Sequence, residues 1–312
     1  MGSISYAVAR APISTAAFLC LLAGACAIAF APIFVRLADV GPVASAFWRC
    51  ALAVPLLWMW IAMPPSPGDS AQLDAGGALS PKDRGVGHSY APILILAGLF
   101  FAADLGVWHF SIVYTSVANS TLLANLAPIV VTLAGWLVWR RPVTRTFLAG
   151  MAVAIAGMFV LVGPNFSVGG TRLLGDALGA LTAVFYGSYM LAVKAARDAG
   201  ASTARVMAWS TTITAIVLLP LALIAPQPFL PAGAAGWWVL AGLALVTQVL
   251  GQGLIAYAFA HLPASLSAVS LLLQPVMAAL FAWALFAEAI GPAQFAGGAI
   301  VLAGIWLARR GS

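Results

Sequence analysis

Residues 99–110 read LFFAADLGVWHF, with Asp104 alone among apolar side chains and Trp108 and His109 four and five residues on. If this stretch crosses a bilayer, holding its carboxylate there costs between about 2.5 and about 10 kcal/mol, so the first question is what the group does. Asp104 and Trp108 are spaced i, i+4 and share a helix face. His109 is turned by about 100° from Trp108 on a helix of 3.6 residues per turn and lies nearer the external end. A lone carboxylate at this depth suits a substrate ammonium or a coupling proton. It also suits a polar tie to a neighbouring span, with Arg49 as the candidate partner.

Further polar residues repeat at helical spacing. Thr121, Asn125, Pro128 and Thr132 follow i, i+4, i+7, i+11, one face of a helix. Pro128 removes a backbone hydrogen bond and frees the carbonyl four residues back, at Ala124. A loosened turn beside an Asn amide offers donors and acceptors to a zwitterion. Ser267, Ser270 and Gln274 stand beside Pro275 in the same way, so Pro128 and Pro275 are read as hinges. Gln248 and Gln252 share a face, as do residues of the Thr182, Tyr186, Tyr189 group. These tyrosines are either packing residues or walls of a pocket suited to aromatic or aliphatic side chains. The candidate cavity therefore comprises Asp104, Trp108, His109, Thr121, Asn125, Tyr186, Tyr189, Gln248, Gln252, Ser270 and Gln274.

Such residues need elements to hold them, and the composition says which. Of 312 residues, 63% are hydrophobic and 7% charged. A soluble domain carries about 25% charged residues, so most of this chain must be solvated by lipid. Ten apolar runs are long enough to span, given the roughly 20 residues needed: 14–35, 43–62, 91–111, 117–139, 146–163, 173–194, 205–224, 235–259, 264–287 and 292–308. The first is read as a span, not a cleaved leader, because nine more follow. The polar segment 63–89 is read as a loop. With the N-terminus inside, eleven of the fourteen Lys and Arg fall on the cytoplasmic side, leaving Arg36, Arg49 and Arg172 outside. Ten crossings with both termini cytoplasmic sort the charges best, in a bacterial inner membrane. The basic residues are scattered between apolar runs, which argues against a nucleic-acid partner. The three cysteines lie inside apolar runs with no metal spacing, and no metal or cofactor is expected. No nucleotide-binding loop and no hydrolase motif is present in the sequence.

The chain also repeats. At a shift of 147, Ser120 falls on Ser267, Pro128 on Pro275, Leu133 on Leu280, Gly150 on Gly297 and Gly157 on Gly304. A second match, at a shift of 158, sets 31–37 against 189–195, and the extra loop at 63–89 accounts for the difference. The halves are thus 1–163 and 164–312, five spans each. An odd number inverts the second half relative to the first, which places a site near the midplane and permits alternating access. The glycines are read as close-packing positions, and Trp136, Trp139, Trp237, Trp238 and Trp306 as interfacial anchors.

The segments WHFSIVYTSVANSTLLANLAPIVV (108–131) and LPASLSAVSLLLQPVMAALFAWALFAEAIGPAQFAGGAIVLAGIWL (262–307) resemble the EamA type of the drug/metabolite transporter superfamily. The second ends in that family's Pro…Glu…Gly…Gly pattern at Pro275, Glu288, Gly297 and Gly304. The first has Arg141 where the family often has Glu, and Phe47-Trp48-Arg49 resembles the family's Arg early in its second span. The resemblance implies an all-α polytopic membrane protein of ten helices in two inverted five-helix repeats, with spans five and ten peripheral. It implies a secondary transporter for small metabolites, with amino-acid exporters of the YddG type among known relatives. The few basic residues at midplane disfavour phosphorylated substrates. The expectation is export of neutral or aromatic amino acids, with proton coupling as one role for Asp104. The rivals are an intramembrane enzyme using Asp104 and His109 on a lipid-linked substrate, and an exporter of cationic drugs or nucleosides.

Overall fold

The computed structural model describes residues 14–63, 90–140, 142–163 and 173–312. The expected loop beyond Met63, together with Arg10, Lys82, Arg84, Arg141 and Arg172, lies outside the described residues. Nine helices among them are long and apolar enough to cross a membrane: Thr15–Leu37, Pro42–Ala62, Ala91–Tyr114, Asn119–Leu137, Arg145–Val162, Leu173–Asp198, Thr203–Ile224, Ala234–His261 and Ala264–Phe286. These are spans 1 to 9. Pro292–Arg310, of 19 residues, follows as span 10.

Short polar caps and prolines set where the helices begin. Ser14, Ser116, Thr144 and Ser202 each accept a backbone N–H three residues on through their side-chain oxygen. Pro42, Pro92 and Pro292 sit in first turns, where the missing N–H costs nothing. Three spans are broken, each shortly before a proline. Span 1 breaks at Ala29–Phe30 ahead of Pro32, span 4 at Asn125–Leu126 ahead of Pro128, and span 9 at Leu271–Leu272 ahead of Pro275. The sequence suggests one loosened helix at Pro128; the structure makes two, with Pro128 in the first turn of the second. Spans 2 and 7 each keep a proline inside the helix, Pro55 and Pro220.

The pairings explain the shape. Span 5 runs along span 10, span 3 along span 6, and span 2 along span 7. The extensive pairings keep their pattern when each span is exchanged with the one five places away. Span 3 on span 6 matches span 8 on span 1, span 3 on span 7 matches span 8 on span 2, and span 4 on span 6 matches span 9 on span 1. Among the described residues two non-glycines have positive φ, Arg140 (50°) and Ala287 (56°); they close spans 4 and 9 and stand 147 positions apart. That is the shift that aligns Pro128 with Pro275.

Spans 5 and 10 touch backbone to backbone. A Cβ on Gly150 would lie 2.2 Å from Ala308 N, on Gly304 2.3 Å from Ala154 N, on Gly297 2.4 Å from Leu161 N and on Gly157 2.6 Å from Val301 N. Loss of any side chain at these four positions is what lets the helices meet.

The two ends of the bundle are tied separately. At one end Arg36 pairs with Glu288, the Asp39 carboxylate accepts the Ala232 N–H at 2.9 Å, and Thr115 donates to Asp176 at 2.7 Å. At the other, Arg205 donates to the Tyr90 hydroxyl and Thr144 to the Gly311 carbonyl. Each tie joins segments that ten crossings put on one face. Trp136, Trp139, Trp238 and Trp306 are exposed near helix ends, as interfacial anchors are.

Candidate functional site

Spans 2, 3, 6, 7 and 8 converge on a polar centre. Span 2 starts at Gly41-Pro42 and is pinned by Trp48, whose indole N–H donates to Phe229 O at 2.8 Å. The next residue, Arg49, therefore points into the bundle and is 8% exposed. Its Nε donates to Gln248 Oε1 at 2.9 Å, and Gln248 Nε2 donates to Thr211 Oγ1 at 2.9 Å. An arginine, an amide and a hydroxyl from spans 2, 8 and 7 thus form one chain. The Nη2 of Arg49 has no hydrogen-bond partner among the described residues.

Asp104, on span 3, is also 8% exposed. Among the described residues it makes no ion pair with Arg49, and neither carboxylate oxygen accepts a hydrogen bond. A carboxyl group and a guanidinium are thus both buried in this centre, the guanidinium with a donor unspent among the described residues. Water does not reach such a place freely, and an unmade hydrogen bond to a charged group is among the costlier defects a core can carry.

An aromatic wall stands beside them. Phe101 lies under the Arg49 guanidinium at 5.8 Å and stacks on Tyr189 at 4.6 Å. Tyr189 donates to Gln252 Oε1 at 3.4 Å, and Gln274 Nε2 is buried with no hydrogen-bond partner among the described residues. Tyr186, Tyr189 and Gln252 line a cavity of about 10 Å3 with Met190, Val193 and Ile255. That is room for about one water molecule.

Not every residue expected at the cavity arrives there with its polar group available. Asn125 donates to Thr121 O at 2.8 Å, within its own turn, and Ser270 donates to Leu266 O at 2.8 Å. Their helix breaks, at the matched positions of spans 4 and 9, use these groups for the backbone. His109 Nδ1 lies 2.5 Å from Leu105 O, and its ring also faces the backbone of Pro42. Trp108 is half-buried and sets its ring edge-on to His109 at 5.0 Å. His109 Nδ1 is engaged by Leu105 O, and no hydrogen bond joins its ring to Asp104 among the described residues.

Two features escape the candidate list read from sequence. Arg49 appears there only as a tie to Asp104, yet it is the hub of the site; its position, seven residues into an apolar span, was the available signal. The other is a π-helix at Leu243–Gly251, the segment that carries Gln248. Such widened turns recur at functional sites, and no residue type in LALVTQVLG announces this one.

A ten-helix bundle with a polar, closed centre can be compared with known proteins. The model of the EamA-like transporter family matches the chain twice, at residues 14–163 and 173–310. This chain belongs to the EamA-like transporter family. With its apolar helices, it is a multi-pass membrane protein. Among curated relatives, the Pseudopaline exporter CntI of Pseudomonas aeruginosa (strain UCBPP-PA14) is 26% identical over 211 residues, 68% of this chain and 72% of that one. A "Probable terminal-alkyne amino-acid exporter" of Streptantibioticus cattleyicolor is 30% identical over 201 residues, 64% of this chain and 66% of that one. A solved structure superposes with a TM-score of 0.73 at 18% identity, covering 94% of this chain and 96% of the other, a likeness of fold.

Proposed function

We propose that this EamA-like transporter exports small amino-acid-like metabolites, neutral or aromatic in side chain, by alternating access. The observation that carries the reading is Asp104: a buried carboxylate that accepts no hydrogen bond among the described residues, on the same span as Phe101, whose ring stacks on Tyr189 of a tyrosine-lined cavity in the second half. A carboxylate so placed receives the substrate ammonium or a coupling proton. The relatives named as exporters, one of them of an amino acid, support the direction and the substrate class. The engagement of His109 Nδ1 by Leu105 O, and not by Asp104, favours transport over chemistry.

In this reading the halves 1–163 and 164–312 are inverted repeats. Both termini face the cytoplasm of a bacterial cell, in the inner membrane. The breaks before Pro128 and Pro275 are hinges that let spans 4 and 9 swing, opening the closed site to either side. Flux of radiolabelled amino acids into proteoliposomes tests the substrate class: uptake above empty vesicles is expected, and no uptake for any amino acid would refute it. Cysteine-accessibility labelling tests the topology, with positions 145 and 310 expected on one face and position 36 on the other.

A further inference from the structure

We propose that Arg49 is the carboxylate clamp of the transport site. The inference rests on the proposed function and adds to it a specificity-determining residue and a requirement on the substrate: a free carboxylate beside its ammonium.

The argument starts from what Arg49 has and has not spent. A guanidinium presents five N–H donors in a planar fork that matches a carboxylate with two parallel bonds. Here Nε is used on Gln248, and Nη2 is buried with no partner. The Gln248 amide is itself held by Thr211, and Phe101 lies on one face of the guanidinium. The fork is thus fixed in direction before any ligand arrives. A cation held rigidly in a membrane interior with donors unmade is unfavourable by itself. Asp104, buried on span 3, makes no ion pair with it among the described residues.

A zwitterion resolves both defects at once. Its carboxylate meets the open side of the Arg49 fork, and its ammonium meets Asp104. Its side chain then lies toward Tyr189, Met190, Val193 and Ile255, an aromatic and aliphatic wall. Neither charge would cross the membrane bare. A simple amine would leave Arg49 unpaired, and a simple carboxylate would leave Asp104 unpaired, so each should be a poorer ligand.

The test is thermal stabilisation of the purified full chain by matched compounds, with flux measured alongside. The compounds are the twenty amino acids, their α-amides, the corresponding amines lacking the carboxyl, and the corresponding 2-hydroxy acids. The wild type should be stabilised by amino acids and at least about tenfold less readily by amides and amines. Arg49→Gln should lose the preference for acid over amide and keep that for amino over hydroxy acid. Asp104→Asn should do the reverse, a pattern that mere misfolding cannot produce. Arg49→Lys, which keeps the charge and loses the fork, should fall between wild type and Arg49→Gln. If amide and acid stabilise wild type equally, or no carboxylate-bearing compound does, or Arg49→Gln keeps the acid preference, the clamp is refuted. Flux of amides equal to that of acids would overturn the clamp and leave the exporter standing. Acid-selective stabilisation without any flux would do the opposite.

Discussion

The seam between spans 5 and 10 and the centre where spans 2, 3, 7 and 8 meet are built on opposite terms. Along the seam the two halves are alike. Gly150 and Gly157 face Gly304 and Gly297, and a side chain at any of them would strike backbone. At the centre they differ. The first half supplies charges, Arg49 and Asp104, while the second supplies neutral groups, Thr211, Gln248 and Gln252. The seam has no room for a side chain, while the centre keeps a buried guanidinium donor without a partner among the described residues. Repeated architecture therefore does not require repeated chemistry: the scaffold keeps the repeat while the site departs from it.

This contrast can be broken at either end. The largest effect should come from Gly304→Leu. A new side chain within 2.3 Å of the Ala154 backbone forces spans 5 and 10 apart. Overpacking of this kind costs about 1–3 kcal/mol or more, read as a lower thermal midpoint and poor yield. Whatever protein survives should keep its substrate preference, because the seam is remote from the centre. Asp104→Asn should behave the other way. The fold and midpoint should hold, while flux falls about tenfold or more, the value of one charge-assisted hydrogen bond at roughly 1.5–3 kcal/mol. If Asp104→Asn instead lowers the midpoint and leaves flux per folded molecule intact, the carboxylate belongs to the scaffold.

Smaller changes sharpen the difference between the charged and neutral sides. Gln252→Leu removes the acceptor of the Tyr189 hydroxyl, a long bond at 3.4 Å between neutral groups. Such a bond is worth about 0.5–1.5 kcal/mol, so flux should drop only a few-fold. Smallest of all should be Glu288→Gln. Its pair with Arg36 is exposed, with side-chain accessibilities of 50% and 57%, and surface pairs contribute about 0–1 kcal/mol. Its midpoint should match wild type at moderate salt.

Sequence reasoning reached the scaffold more completely than the site. Ten apolar runs, the matched prolines and the four glycines were readable because lipid solvation and close packing each demand particular residue types at fixed spacing. Asp104 was readable for the same reason, as an exception to that demand. For Asn125 and Ser270 the sequence leaves two roles open, since a helix break and a cavity both want small polar groups beside a proline; here their donors go to backbone carbonyls. Arg49 was underweighted because a single arginine early in a span looks like an interfacial residue; its burial follows from how Trp48 anchors to Phe229 across the bundle. The π-helix at Leu243–Gly251 had no compositional sign at all.

Counterflow of a radiolabelled neutral amino acid in proteoliposomes, comparing wild type with Asp104→Asn at equal reconstituted amounts, tests the account most directly. Accumulation above empty vesicles that disappears in the variant is the predicted result. Equal accumulation by both proteins would contradict it, because the charge held at the centre of the bundle would then have no part in moving the substrate.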